Sequence, residues 1–170
     1  MTLLKYCLFS LLFTMCAVVQ AQEIKWMTWE QAAAANAKEP RKIFVDVYTD
    51  WCGWCKKMDV TTFVDPVVVE IINKNFYAVK LNAEQKEPIE WQGEKYEWFA
   101  GGRNGAHKLA YDLLDGQFSF PTFVMLDSEY KRIAISPGYK LGDALNKELK
   151  YAAEEHYKTT SWQDFMNKTK

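Results

Sequence analysis

Seven residues, Lys42-Ile43-Phe44-Val45-Asp46-Val47-Tyr48, constrain this chain most. The run is almost wholly apolar and rich in β-branched and aromatic side chains, which suits a central strand covered on both faces. A strand buried in that way needs helices on either side, so the chain must build an α/β layer structure around it. Four residues later comes Cys52-Gly53-Trp54-Cys55, with Lys56 and Lys57 following. The cysteine pair therefore stands where a buried strand gives way to a helix.

The flanking segments extend this pattern. Ile24 to Met27 is a short strand candidate. Thr28 is placed to cap a helix that runs to Lys38, with Gln31 as its capping-box partner, and Pro40 lies beyond its end. The helix opened by the cysteine pair is expected from about Cys52 through Thr62. Asp65-Pro66 is a capping residue followed by proline at the first helical position, and starts a helix to Asn75. Phe76 to Leu81 reads as the next strand, and Ala83 to Asn104 as irregular. Ala106 to Asp115 reads as a helix ended by Gly116. Thr122 to Leu126 and Arg132 to Ile135 form a hairpin, Gly142 to about His156 a helix, and a last short helix follows Ser161. The expected architecture is one α/β domain, a mixed central sheet flanked by helices on both faces.

The amino-terminal 21 residues are set apart from that domain. Lys5 is followed by an apolar stretch from Tyr6 to Val19, and Val19 and Ala21 stand at −3 and −1 of a cleavage point before Gln22. This is the layout of a secretory signal peptide, so the expected domain is residues 22–170, periplasmic or secreted after cleavage near Ala21-Gln22. A retained membrane anchor is the alternative. A lipid anchor on Cys16 fits poorly, because Met15 stands where a small residue is expected. The chain is nearly neutral, with 21 basic and 22 acidic residues, and nothing in that balance points to nucleic acid.

Of the four cysteines, Cys7 and Cys16 lie in the leader, so the exported domain keeps only Cys52 and Cys55. A disulfide between them closes almost no loop and adds little stability by chain entropy. An isolated pair spaced for switching, in an oxidising compartment, points to redox chemistry. Exchange needs a thiolate, and a cysteine at the first turn of a helix faces unpaired N–H groups and the positive dipole end. Cys52 is thus expected as the exposed attacking sulfur and Cys55 as the resolving one. Gly53 is expected to allow the tight turn between them, and Trp51 and Trp54 to flank the mouth. A zinc site with His107 and His156 has the right count but not the spacing. His156 is expected to be exposed near a helix end, and His107 has no evident role. Asp46, inside the buried strand, should have a raised pKa and serve as proton acceptor for Cys55. The alternative is that it points outward. Pro121 precedes an apolar strand, and a cis Phe120-Pro121 bond would aim the Phe120 backbone at the cysteines.

These residues together resemble the thioredoxin superfamily. Val45 to Lys56 is similar to its strand-to-helix active-site stretch, with the aspartate six positions before the first cysteine. Val79-Lys80-Leu81-Asn82 is similar to the next strand, and Phe120-Pro121-Thr122 to the cis-proline loop. The stretch from Cys55 through Pro66 is more like exported thioredoxin-like proteins and the C-terminal domain of DsbD. The resemblance implies the thioredoxin fold and a thiol–disulfide oxidoreductase acting, without a cofactor or metal, on cysteine-containing exported proteins. It implies that Lys80 pairs with Asp46, and that Pro121 holds the peptide and keeps metal off the thiols. With no histidine between the cysteines, it favours a monomeric reductase or isomerase fed by a membrane electron donor of DsbD type. A disulfide-introducing oxidase and a non-catalytic binding or chaperone module are the alternatives. The segment 84–105, holding Trp91, Tyr96, Trp98 and Phe99, has no counterpart in a minimal thioredoxin. It either borders the substrate groove or packs over the sheet.

Overall fold

The computed structural model describes residues 23–101 and 104–169. The leader, with Cys7 and Cys16, lies outside the described residues. The elements run β1 (Trp26–Met27), α1 (Trp29–Lys38), β2 (Lys42–Tyr48), α2 (Gly53–Asp59), α3 (Pro66–Asn75) and β3 (Phe76–Asn82). Four two- or three-residue strands follow: β4 (Ile89–Trp91), β5 (Glu94–Tyr96), β6 (Trp98–Phe99) and β7 (Ala106–His107). Then come α4 (Lys108–Leu113), β8 (Thr122–Leu126), β9 (Arg132–Pro137), α5 (Gly142–Ala153) and α6 (Trp162–Lys168). Among these described elements no helix is long and apolar enough to cross a membrane.

Five strands form the main sheet in the order β1-β3-β2-β8-β9. The first three are mutually parallel, and β8 and β9 are antiparallel to their neighbours. The apolar run Lys42–Tyr48 is the central strand, as its composition requires. Its side chains alternate between two cores. Ile43, Val45 and Val47 pack with Trp29, Ala32, Leu109 and Leu113 under α1 and α4. Phe44 packs with Met58, Phe63, Val68, Ile72 and Leu145 under α2, α3 and α5. Phe44 stacks on Phe123 across the sheet, and Phe63 meets Phe123 edge-on. Alternate burial on both faces is what a strand whose five buried residues include one polar side chain can sustain.

The caps lie where the sequence puts them. Thr28 and Gln31 make a reciprocal capping box, and the Asp65 carboxylate accepts from the amides of Val67 and Val68, with Pro66 opening the helix. Gly116, at φ +72°, ends the turn after α4.

Four expectations shift. The helix after the cysteines stops at Asp59, not Thr62. Val60, Thr61 and Thr62 are β-branched, Thr61 leaves helical geometry, and a 3-10 turn over Thr62–Val64 drives Phe63 into the core. Residues 83–104 are not wholly irregular, because β4 pairs with β5, and β6 with β7. The helix expected from Ala106 starts at Lys108, since Ala106 and His107 are already paired with Phe99 and Trp98. The helix expected to reach about His156 ends at Ala153, after which Glu155 adopts a left-handed φ of +60°.

Candidate active site

The site is built at the carboxyl end of β2. Beyond Tyr48 the chain turns through Thr49 to Trp51. The Cys52 amide donates to the Thr49 carbonyl, and Asn82 at the end of β3 donates its side-chain amide to Asp50. Cys52 is the N-cap of α2 and Cys55 lies one turn in. The two are joined by a disulfide, and Cys52 Sγ accepts from the Cys55 N–H at 3.0 Å. The antiparallel register pairs Val47 with Thr122. Pro121 therefore emerges beside the same end of β2, and the Phe120-Pro121 bond is cis. Hydrogen bonds from Gly138 N–H to the Pro121 carbonyl and from Thr122 Oγ1 to the Ser119 carbonyl hold this loop.

Two expectations about the mouth are corrected. Cys52 was expected to be exposed but shows 4 % of its surface, close to the 3 % of Cys55. Its side chain folds back over the first helical turn to meet the Cys55 amide and sulfur, and this inward turn covers it. The exposed neighbours are Trp51 and Trp54, each 61 % exposed. Trp51 meets Phe120 edge-on at 5.8 Å between ring centroids, and Trp54 lies 5.2 Å from Tyr139. Gly53 was expected to permit a tight turn. It is an ordinary first residue of α2, outside the positive-φ glycines, and a Cβ there would meet nothing within 4 Å.

Beneath α2 lies a charged group. Asp46 stands two residues beyond Phe44 on the same face of β2 and so faces the α2 side of the sheet, with 1 % exposure. It does not point outward. Parallel pairing puts Lys80 of β3 directly beside it, and Nζ is 2.8 Å from Asp46 Oδ2. That approach lies off hydrogen-bond geometry, and both carboxylate oxygens lack an aligned donor. Burial pushes the Asp46 pKa up to about 6, against the opposing pull of the Lys80 charge. Burial alone would lower the pKa of Lys80. The Asp46 charge, with the charge and hydrogen bond of Asp59, outweighs it and holds the pKa above its ordinary value.

Asp59 was missed in the sequence reading. It lies one turn beyond Cys55, at i+4, and adds nothing to an apolar pattern; only its helix-face position could have signalled it. Its carboxylate accepts from Lys80 Nζ, so the ammonium bridges one buried and one exposed carboxylate. The rings of Trp26, Tyr48 and Phe63 lie 5.0, 5.1 and 5.3 Å from the same Nζ. Glu84 was also missed. Its Oε1 accepts from Trp51 Nε1 and from Asn104 Nδ2, each at 2.9 Å.

The histidines take other places. His107 is fully buried, caps α4 by accepting from the Leu109 amide, and has its pKa lowered by burial against opposing backbone groups of Glu87 and Tyr96. His156 is half-buried, lies against Phe165 and contacts Glu154. Among the described residues, no three His, Cys, Asp or Glu side chains converge as metal ligands.

A five-stranded mixed sheet with helices on both faces, a cysteine pair opening α2 and a cis-proline beside it define a thioredoxin-fold protein equipped for thiol–disulfide redox chemistry. The chain belongs to the Thioredox_DsbH family (protein of unknown function, DUF255), which matches residues 15–105, more than half of it. Solved structures agree on the fold. DsbH oxidoreductase superposes with a TM-score of 0.55 at 19% identity, covering 79% of this chain and 87% of that one. A thioredoxin from Thermus thermophilus gives 0.55 at 16%, covering 77% and 86%. A curated relative, the Caenorhabditis elegans protein B0495.5, is 34% identical over 68 residues. That match covers 39% of this chain and 9% of the relative, so the chain spans a small part of such proteins.

Proposed function

We propose that this protein is a dithiol–disulfide oxidoreductase that exchanges its Cys52–Cys55 pair with cysteines of exported proteins, in the reducing or isomerising direction. The observation that carries this reading is the placement of the pair: two sulfurs at the amino end of α2, above a buried carboxyl with a pKa of about 6.

In the reduced protein, unpaired amides at the start of α2 favour the Cys52 thiolate. It attacks one sulfur of a substrate disulfide, forming a mixed disulfide and expelling a substrate thiolate. Cys55 then loses its proton to Asp46 and attacks Cys52 Sγ. The second substrate sulfur leaves and the Cys52–Cys55 disulfide forms, so two electrons pass from the dithiol to the substrate. An external dithiol donor, of the DsbD type, returns them. Lys80 and Asp59 give the Asp46 proton a charged path towards solvent. The substrate lies extended along Phe120, whose N–H and C=O make no backbone hydrogen bond among the described residues. Trp51, Gly53, Trp54, Phe120 and Pro121 form the contact surface, and no cofactor enters. Residues 1–21 act as the export signal, and the protein works as a monomer in the periplasm or outside the cell.

Insulin-disulfide reduction tests the reading: Cys52→Ser should lose it by at least about a hundredfold. No turnover by the wild type would leave a binding module, not an enzyme, and activity retained by this variant would remove Cys52 as the attacking sulfur. Equilibration of the pair with glutathione tests direction. Family potentials run from about −270 mV for thioredoxin to about −120 mV for DsbA, and a value at the DsbA end would make the protein an oxidase.

A further inference from the structure

The aromatics of the 84–105 segment divide. Trp91 and Tyr96 pack on the core beside Trp29 and Tyr130, and Trp98 lies so close over Gly105 that a Cβ there would stand 2.1 Å from its ring. Phe99 turns the other way. Its ring is 5.6 Å from Tyr111, Tyr111 is 6.0 Å from Phe118, Phe118 is 6.0 Å from Phe120, and Phe120 is 5.8 Å from Trp51. Five rings thus run without a break from the segment to the residue before Cys52. They wall a groove of about 700 Å³, within the range of pockets that take ligands larger than one side chain. Among the described residues, Glu84 is the one charged side chain in its lining; its carboxylate accepts there from the neutral donors of Trp51 and Asn104 and makes no ion pair.

We infer that this groove selects the target of the proposed exchange, and the inference rests on that reading. Its occupant is an extended, cysteine-bearing segment of another protein, with an aromatic side chain beside the cysteine and a basic rather than acidic residue next to it. The rings supply the aromatic contact. An acidic side chain would meet Glu84 as a like charge, whereas lysine or arginine would meet a carboxylate that no described cation pairs, among ring faces. Trp51 and Phe120 belong both to the groove and to the disulfide mouth, so an occupant must bring a cysteine there. A second copy of residues 22–170 cannot, because its only cysteines are Cys52 and Cys55, at its own mouth.

The test is binding of non-reactive peptides to the full domain in its disulfide form, followed by tryptophan fluorescence. The probes are end-blocked pentapeptides with serine in place of cysteine and central sequences Phe-Ser-Lys, Phe-Ser-Glu and Gly-Ser-Gly. Phe-Ser-Lys should bind at least about tenfold tighter than Gly-Ser-Gly and about fivefold tighter than Phe-Ser-Glu. Glu84→Gln, which keeps an acceptor for Trp51, should bring the Lys/Glu ratio close to one. Phe99→Ser should reduce the advantage of phenylalanine; if that variant fails to fold, Glu84→Gln carries the test. Equal binding of the three peptides, no saturable binding, or a Lys/Glu ratio unchanged in Glu84→Gln overturns the inference. So does a dimer in sedimentation that Phe99→Asp dissociates, which would assign the groove to a second copy. Reduction of bis(2-hydroxyethyl) disulfide by the wild type is read separately. Turnover without peptide preference removes the groove and keeps the oxidoreductase. Preference without turnover keeps the groove as a binding site but overturns its role in exchange.

Discussion

Replacing Asp46 by Asn should stabilise the folded protein increasingly as pH rises above the carboxyl's ordinary value, and in full above about 6. The group goes from an ordinary 3.8 in the unfolded chain to about 6 in the fold, because burial penalises the charged form more than Lys80 relieves it. The raised value means that the folded state holds the proton more tightly. The group's favourable contribution is therefore complete below about 3.8, falls as pH rises, and is gone above about 6. At about 1.36 kcal/mol per unit, that difference is on the order of 3 kcal/mol. Protonated Asp46 and the asparagine that replaces it both leave a neutral side chain beside a charged Lys80 that retains Asp59. The two proteins should consequently be nearly equal in stability close to pH 4, and Asp46→Asn should be more stable by about 3 kcal/mol at pH 8. Urea unfolding at several pH values between 4.5 and 8.5, with the disulfide kept oxidised in both proteins, measures this. A pH-independent difference, or one that grows towards acid, would refute the account of a carboxyl strained by burial.

The other predictions concern the same neighbourhood and the segment 84–105. Lys80→Met removes the cation that opposes burial, so the Asp46 titration followed by carboxyl carbon NMR should move to a midpoint above about 6. An unchanged or lower midpoint would mean that the ion pair has no hold on it. Gly53→Ala should keep the fold and raise stability by up to about 0.5–1 kcal/mol, because the position is helical and its Cβ direction is open. Loss of folding on thermal denaturation would contradict that placement. Gly105→Ala should cost on the order of 1–3 kcal/mol, since φ is +74° and the new methyl would run into Trp98. A melting temperature equal to wild type would show that the segment gives way freely.

Local rules carried much of this molecule. Lys42–Tyr48 reads as a doubly covered strand from its own composition, and Thr28 and Asp65 read as caps from the residues within three positions of them. The β8–β9 hairpin and the start of α2 at the cysteine pair were likewise legible, because strand alternation, helix periodicity and capping act over a single turn or pleat. The reading failed where the deciding partner was distant. Residues 83–104 looked irregular because strands as short as β6 and β7 have no periodicity of their own and exist only by pairing.

The sequence by itself determined the strand–turn–helix that carries Cys52 and Cys55 and the expectation that Asp46 is buried, since each follows from neighbours along the chain. Only the tertiary structure decided what surrounds them. Sheet register brought Lys80 beside Asp46, helix packing brought Asp59 onto Lys80, and the chain beyond β3 brought Glu84, 33 residues away, onto Trp51. It also buried His107 and turned Cys52 inward. The physical reason is that apolar pattern and capping specify which face of an element is covered, whereas a polar contact of 2.8 or 2.9 Å depends on how separate elements dock.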